Sequence, residues 1–98
     1  MNTPSATSVI EDLDAAVSAL DIPIKGDESS LRGDDATRYY KSGIEGVHIS
    51  VFAEIEIKGS EVSYRVYGET KATPEEAAAV IDAEVKARLA EIHAATAQ

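Results

Sequence analysis

Val47-His48-Ile49-Ser50-Val51-Phe52-Ala53-Glu54-Ile55-Glu56-Ile57 decides the fold. Val47, Ile49, Val51, Ala53, Ile55 and Ile57 fall on one side of an extended chain, and His48, Ser50, Phe52, Glu54 and Glu56 on the other. A period of two predicts a strand with one buried and one exposed face. Lys58-Gly59-Ser60 then reverses the chain, and Val62, Tyr64 and Val66 alternate with Ser63, Arg65 and Tyr67 in a second strand. Pairing chemistry selects the register. A Lys58-Gly59 loop would set Glu56 against Glu61, and like charges directly opposite each other are destabilising. A Gly59-Ser60 loop sets Lys58 against Glu61, Glu54 against Arg65 and Phe52 against Tyr67, and gives a type II′ turn its leading Gly. The second register is the expected one.

Outward from this hairpin, Thr37 to Lys41 carries Tyr39 and Tyr40 among β-favouring neighbours and reads as a third, short strand. Residues 25–36 are dominated by Gly, Ser and Asp and read as a solvated loop. Upstream, Val9, Ile10, Leu13, Ala16, Val17 and Leu20 recur at helical spacing, which predicts an amphipathic helix over 9–20 that is capped by Ser8 with Glu11 and stopped by Pro23. Residues 1–7 are small and polar and read as a disordered terminus ahead of a single domain over 8–98. Downstream, Thr73-Pro74-Glu75-Glu76 holds a cap, a Pro suited to the first helical position and the acid that completes a capping box. A helix over about 74–95 follows, with Ala77, Ala78, Ile81, Val85, Leu89 and Ile92 inward and Asp82–Lys86 and Glu84–Arg88 as favourable pairs.

The expected fold is therefore α+β, in the order helix, three antiparallel strands, helix, with both helices on one face of the sheet. This order resembles the double-stranded-RNA-binding domain, and Gly68-Glu69-Thr70-Lys71 ahead of Ala77-Ala78-Ala79 is similar to that family's entry into its final helix. The family grips phosphates with a Lys cluster at that helix start. Here Thr73-Pro74-Glu75-Glu76 stands there instead, and carboxylates repel an RNA backbone, so the resemblance does not extend to RNA binding.

Composition narrows the function. The 98 residues contain no Cys, which removes disulfides, thiolate chemistry and cysteine-based metal sites. Nine Lys and Arg against eighteen Asp and Glu give a formal charge of −9, which opposes binding to nucleic-acid phosphates or an anionic membrane. Met1-Asn2-Thr3-Pro4-Ser5 has neither the basic start nor the apolar stretch of a secretory signal, so a cytoplasmic protein is expected.

Chemistry-bearing residues are sparse. His48 is expected on the exposed sheet face near Ser50, too far for a nucleophile–base pair, and His93 suits the end of its helix. Asp27-Glu28 and Asp34-Asp35 do not match a calcium loop, and the Gly residues are scattered at turns rather than gathered in a phosphate loop. Arg32-Gly33-Asp34 spells an adhesion tripeptide without the secreted, disulfide-bonded setting that such a role needs. No catalytic group, cofactor or metal is expected.

The exposed sheet face carries the sharper signal. Phe52, Arg65 and Tyr67, with Tyr39 or Tyr40 alongside, are of the types enriched where proteins bind one another. With Glu54, Glu56, Asp34 and Asp35 as charged contacts, they suggest a non-enzymatic domain that docks on a basic surface of a protein partner as an inhibitor or adaptor. Size, charge and lack of catalytic groups are similar to those of acidic phage proteins that imitate nucleic acid, anti-CRISPR proteins among them. The alternative is a structural subunit that homo-oligomerises, for instance as a dimer, through an open sheet edge.

Overall fold

The computed structural model describes residues 5–33 and 35–96. Two helices and five strands follow the order α1 (Ala6–Ser18), β1 (Ile24–Arg32), β2 (Asp35–Ser42), β3 (Ser50–Lys58), β4 (Glu61–Val66), β5 (Glu69–Lys71) and α2 (Pro74–Thr96). The strands form one antiparallel sheet in sequence order, β1 to β5. The class is α+β, but the sheet has five strands where three are expected.

The hairpin that decides the fold forms in the expected register, with Lys58 opposite Glu61, Ile55 opposite Tyr64 and Glu54 opposite Arg65. Gly59 has a φ of +62° and Ser60 does not share it, the signature of a type II′ turn. Val51, Ala53, Ile55 and Ile57 of β3, Ala36 and Tyr40 of β2, and Tyr64 and Val66 of β4 are all buried, on the face that the helices cover. Val9, Ile10, Leu13 and Val17 of α1 and Ala77, Ala78, Ile81 and Val85 of α2 complete that core, with Leu89 packed at its margin. Small Ala side chains on α2 let the helix lie close to the sheet and to α1.

Several boundaries differ. The stretch expected as a loop contains β1, which pairs with β2 from Ile24↔Ser42 to Arg32↔Asp35. Its residues beyond Ile24 are exposed on both faces, so backbone hydrogen bonds hold it in place and no apolar alternation is required. A bulge between Gly26 and Ser29 interrupts the ladder and takes up the extra residue. At the far end of the sheet, the three residues of β5 are too few to leave any pattern.

The long strand begins at Ser50, three residues later than expected. Ser42 donates its hydroxyl to the Val47 carbonyl at 2.6 Å and its N–H to the Ile49 carbonyl at 3.0 Å, which fixes 47–49 as a connector that still buries Ile49. His48 therefore sits exposed in that connector rather than in the strand. Helix α1 starts earlier, capped by Ser5 rather than Ser8: the Ser5 Oγ accepts from the Ser8 N–H at 3.1 Å. Helix α2 is capped as expected, the Thr73 Oγ1 accepting from the Glu76 N–H at 3.1 Å and donating to Glu76 Oε1 at 3.0 Å. Asp82 and Lys86 close to 3.1 Å, whereas Glu84 and Arg88 form no ion pair. Among the described residues, no helix is long and apolar enough to cross a membrane.

Candidate functional site

Both helices pack on one side, and the other side of the sheet is left open. Strand alternation places Thr37, Tyr39 and Lys41 of β2, Phe52, Glu54 and Glu56 of β3, and Ser63 and Arg65 of β4 on that open face. Tyr39 stands directly opposite Phe52, their ring centres 5.1 Å apart at 84°, an edge-to-face pair. Phe52 remains 57% exposed. One cross-strand row beside this pair reads Ser30, Thr37, Glu54, Arg65 and Thr70. Between that row and the next lies a shallow depression of about 500 Å3 bordered by Tyr39, Glu54, Glu56, Asp35 and Arg65.

The expected contact residues are thus partly gathered. Phe52, Arg65, Glu54, Glu56 and Asp35 share the face, and Asp34 lies outside the described residues. Tyr67 leaves it. Strand β4 ends at Val66, and Tyr67 and Gly68 form the turn into β5 with φ of +49° and +79°. The turn sends the Tyr67 ring toward α2: burial raises its hydroxyl above the usual tyrosine value, Glu84 adds to this and Arg88 opposes it. Phe52 therefore has Tyr39 as its aromatic neighbour in place of Tyr67. Tyr40, the other candidate neighbour, is buried on the helix side.

Two of the expected charged contacts are already engaged. Glu56 meets Lys58 at 3.0 Å, and Asp35 Oδ1 accepts from the Ile57 N–H at 3.4 Å beyond the end of β2. Across the open face as a whole, Asp27, Asp35, Glu54, Glu56 and Glu61 stand among Lys25, Arg32, Lys41, Lys58 and Arg65, with Glu28 beside Asp27 in the bulge. This face is close to charge balance. The helix layer is not: Glu11 and Asp12 of α1 and Glu75, Glu76, Glu84 and Glu91 of α2 are exposed and form no ion pair with a described residue. Burial, then the carboxylates of Asp12 and Glu75, raise the Tyr64 hydroxyl above its ordinary value. Acids from both helices thus act on one hydroxyl of β4.

Sequence reasoning missed a cluster where α1 meets the sheet. Arg38 donates from Nε to Asp14 Oδ1 at 2.9 Å and from Nη2 to Asp14 Oδ2 at 3.1 Å, a two-pronged ion pair. The Tyr40 hydroxyl donates to the same Oδ1 at 2.6 Å, and the Arg38 guanidinium lies 5.3 Å from the Tyr40 ring centre. Burial works to lower the Arg38 value, but the hydrogen bond and charge of Asp14 outweigh it and hold the guanidinium above its usual range. Burial and then Asp14 push the Tyr40 hydroxyl far above the ordinary tyrosine value. The one signal in the sequence is Arg38 itself, a charge on the apolar side of an alternating strand. All three groups are consumed by one another, so the cluster fastens α1 to β2 and offers no free acid or base. Among the described residues, no three His, Asp or Glu side chains converge as a metal site. Comparison of the chain with protein-family models, with curated proteins and with solved structures gives no match in any of the three.

Proposed function

We propose that this protein is a non-enzymatic binding domain, an inhibitor or adaptor, that docks on a basic surface of a protein partner. The one-sided charge carries the reading. Exposed acids crowd the helix layer and outnumber its two bases, Lys86 and Arg88, whereas acids and bases on the sheet face are close to equal in number. A field of that sign steers a basic protein toward the helices and strengthens as ionic strength falls. Its more specific form is a nucleic-acid mimic of the anti-CRISPR kind, in which Glu11, Asp12, Glu75 and Glu76 occupy positions that phosphates would take on the partner. The open-face residues Phe52, Arg65, Glu54, Glu56 and Asp35 form a second candidate contact region, an exposed ring among charges of both signs.

The alternative, assembly through a sheet edge, has less support. The β1 edge is broken at its bulge, where Asp27 and Glu28 sit, and the β5 edge is three residues long. The test is affinity capture by the protein and by a Glu11→Gln/Asp12→Asn/Glu75→Gln variant, at low and high salt. The expected result is a basic protein retained at low salt, released at high salt, lost with the variant and displaced by DNA or RNA if the mimic reading holds. A partner held equally by both proteins at both salt levels overturns the assignment to the helix acids.

A further inference from the structure

Tyr64 is only 3% exposed, yet its hydroxyl has no hydrogen-bond partner among the described residues. A buried tyrosine ordinarily finds one, as Tyr40 does in Asp14. The Tyr64 ring is sealed in the core while its oxygen still touches solvent. Two carboxylates lie within electrostatic reach of that oxygen, Asp12 from α1 and Glu75 from α2, where α1 packs on α2 and α2 packs on β4.

Helical spacing explains their placement. Asp12 adjoins Leu13 and stands one turn from Val9, and Glu75 stands one turn before Ala78. Val9, Leu13 and Ala78 are buried, so both acids emerge at the margins of the packed stripes. Neither forms an ion pair with a described residue. Glu76 is occupied by Thr73, and Lys71, the base opposite Tyr64 on β5, is drawn to Glu69 at 3.7 Å. We propose that Asp12, Glu75 and the Tyr64 hydroxyl form a receptor for one arginine side chain of the basic partner. The assignment rests on the docking reading and names the group that is read.

The chemistry of the three groups selects the occupant. Burial and the two acids keep the phenolic proton in place, so the oxygen is a neutral acceptor between two charged ones. A guanidinium carries five donors in a planar fork and sheds water more readily than an ammonium, so it can meet three acceptors at once. A lysine brings a compact charge and meets them less completely. A divalent cation needs more oxygen ligands, and among the described residues no three acidic or His side chains converge. The carboxylates repel each other in the free protein, and a cation between them relieves that repulsion.

NMR titration with the peptide acetyl-Gly-Arg-Gly-amide tests it, beside the same peptide carrying Lys or citrulline in place of Arg, and beside calcium chloride. The expected result is saturable shifts at Tyr64, Asp12 and Glu75 with the Arg peptide, weaker ones with Lys and none with citrulline. Asp12→Asn should raise the dissociation constant at least about tenfold and Tyr64→Phe about fivefold. Glu91→Gln removes the same charge further along α2 and should change it less than about twofold. Tyr64→Phe should melt with the parent, since the hydroxyl has no internal bond to lose. Parent-like binding by Tyr64→Phe or Asp12→Asn overturns the proposal. So does a loss in Glu91→Gln equal to that in Asp12→Asn, or a stronger response to calcium than to the Arg peptide. A basic protein captured equally by the parent and by Tyr64→Phe removes this receptor and leaves the docking reading standing. The Arg peptide bound here with no protein captured does the reverse.

Discussion

The Tyr40 hydroxyl donates to Asp14 Oδ1 at 2.6 Å, across a sequence separation of 26 residues. That bond joins α1 to the strand beside the centre of the sheet, and the same carboxylate holds Arg38 from a second direction. Asp14 thereby accepts three hydrogen bonds at the boundary of core and solvent, where a lost acceptor is expensive because its donors are only partly reached by water.

Asp14→Ala strands the Arg38 guanidinium, whose side chain is 15% exposed, and leaves the Tyr40 hydroxyl without an acceptor. The expected cost is about 2–3 kcal/mol, discounted from a fully buried pair because Asp14 keeps some contact with water. Tyr40→Phe removes one bond and should cost about 1 kcal/mol. Denaturant titration with an unchanged slope checks both.

Alkaline pH probes the same cluster. The folded protein holds the Tyr40 hydroxyl well above the ordinary value of 10.0, through burial first and Asp14 second. A group whose value is raised by folding contributes full stability below its unfolded value and loses it progressively above. Stability should therefore fall as pH climbs past 10, with Tyr64 and Tyr67 acting in the same direction. In Tyr40→Phe the decline should be shallower by up to about one proton's worth of slope. Melting temperatures measured across this range decide it; an identical slope in the two proteins would contradict the assignment.

Gly26 lies under Arg38, and a Cβ there would collide with the guanidinium. A free Arg would swing away at little cost, but this one is held by Asp14, so Gly26→Ala must break the ion pair or shift β1. About 1–3 kcal/mol is expected. In an Arg38→Ala background the same substitution should be close to neutral. Equal costs in both backgrounds would show that the strain lies in the bulge instead.

How far the fold was legible follows from what each element asks of its residues. Strand β3 and its partner β4 are buried on one face, so Val51 to Ile57 must alternate, and the register follows from Lys58, Glu61, Glu54 and Arg65. Helix α2 declares itself through Thr73 and Pro74. Strand β1 buries almost nothing, so Gly26, Asp27 and Ser29 face no selection for a β pattern and read as a loop. The Asp14–Arg38 pair spans 24 residues and is decided only when α1 crosses the sheet. The open-face positions of Phe52, Glu54 and Arg65 are legible from alternation alone. The departure of Tyr67 is not, because its direction depends on a turn conformation that a tyrosine seldom adopts.

The N-cap of α2 offers a direct check on the helix start. Thr73 Oγ1 satisfies the Glu76 N–H at 3.1 Å, one of the donors that a helix leaves unpaired in its first turn. Thr73→Ala should cost about 1 kcal/mol and lower the melting temperature without altering secondary-structure content. Thr73→Ser, which keeps the acceptor, should recover most of the loss.

Tyr67 is the one described non-glycine residue with positive φ, at +49°, and Gly68 follows at +79°. Positive φ at both central positions is the type I′ arrangement that joins β4 to β5, and its preferred sequence is Asn-Gly rather than Tyr-Gly. A left-handed conformation costs a tyrosine of order 1 kcal/mol, while Asn adopts it with little strain. Set against this is the packing of the Tyr67 ring, which is 44% exposed and lies near Glu84 and Arg88 of α2. Half-exposed, the ring returns less than a buried tyrosine would, so Tyr67→Asn should hold stability within about 0.5 kcal/mol of the parent or raise it. Tyr67→Ala keeps the strain and loses the ring, and should cost about 1–2 kcal/mol. The aromatic contacts separate as well. Nuclear Overhauser peaks between Tyr39 and Phe52 should persist in Tyr67→Asn, since their 5.1 Å pairing is set by β2 and β3 alone. Loss of those peaks, or an Asn variant weaker than the Ala variant, would mean that Tyr67 supports the open face after all.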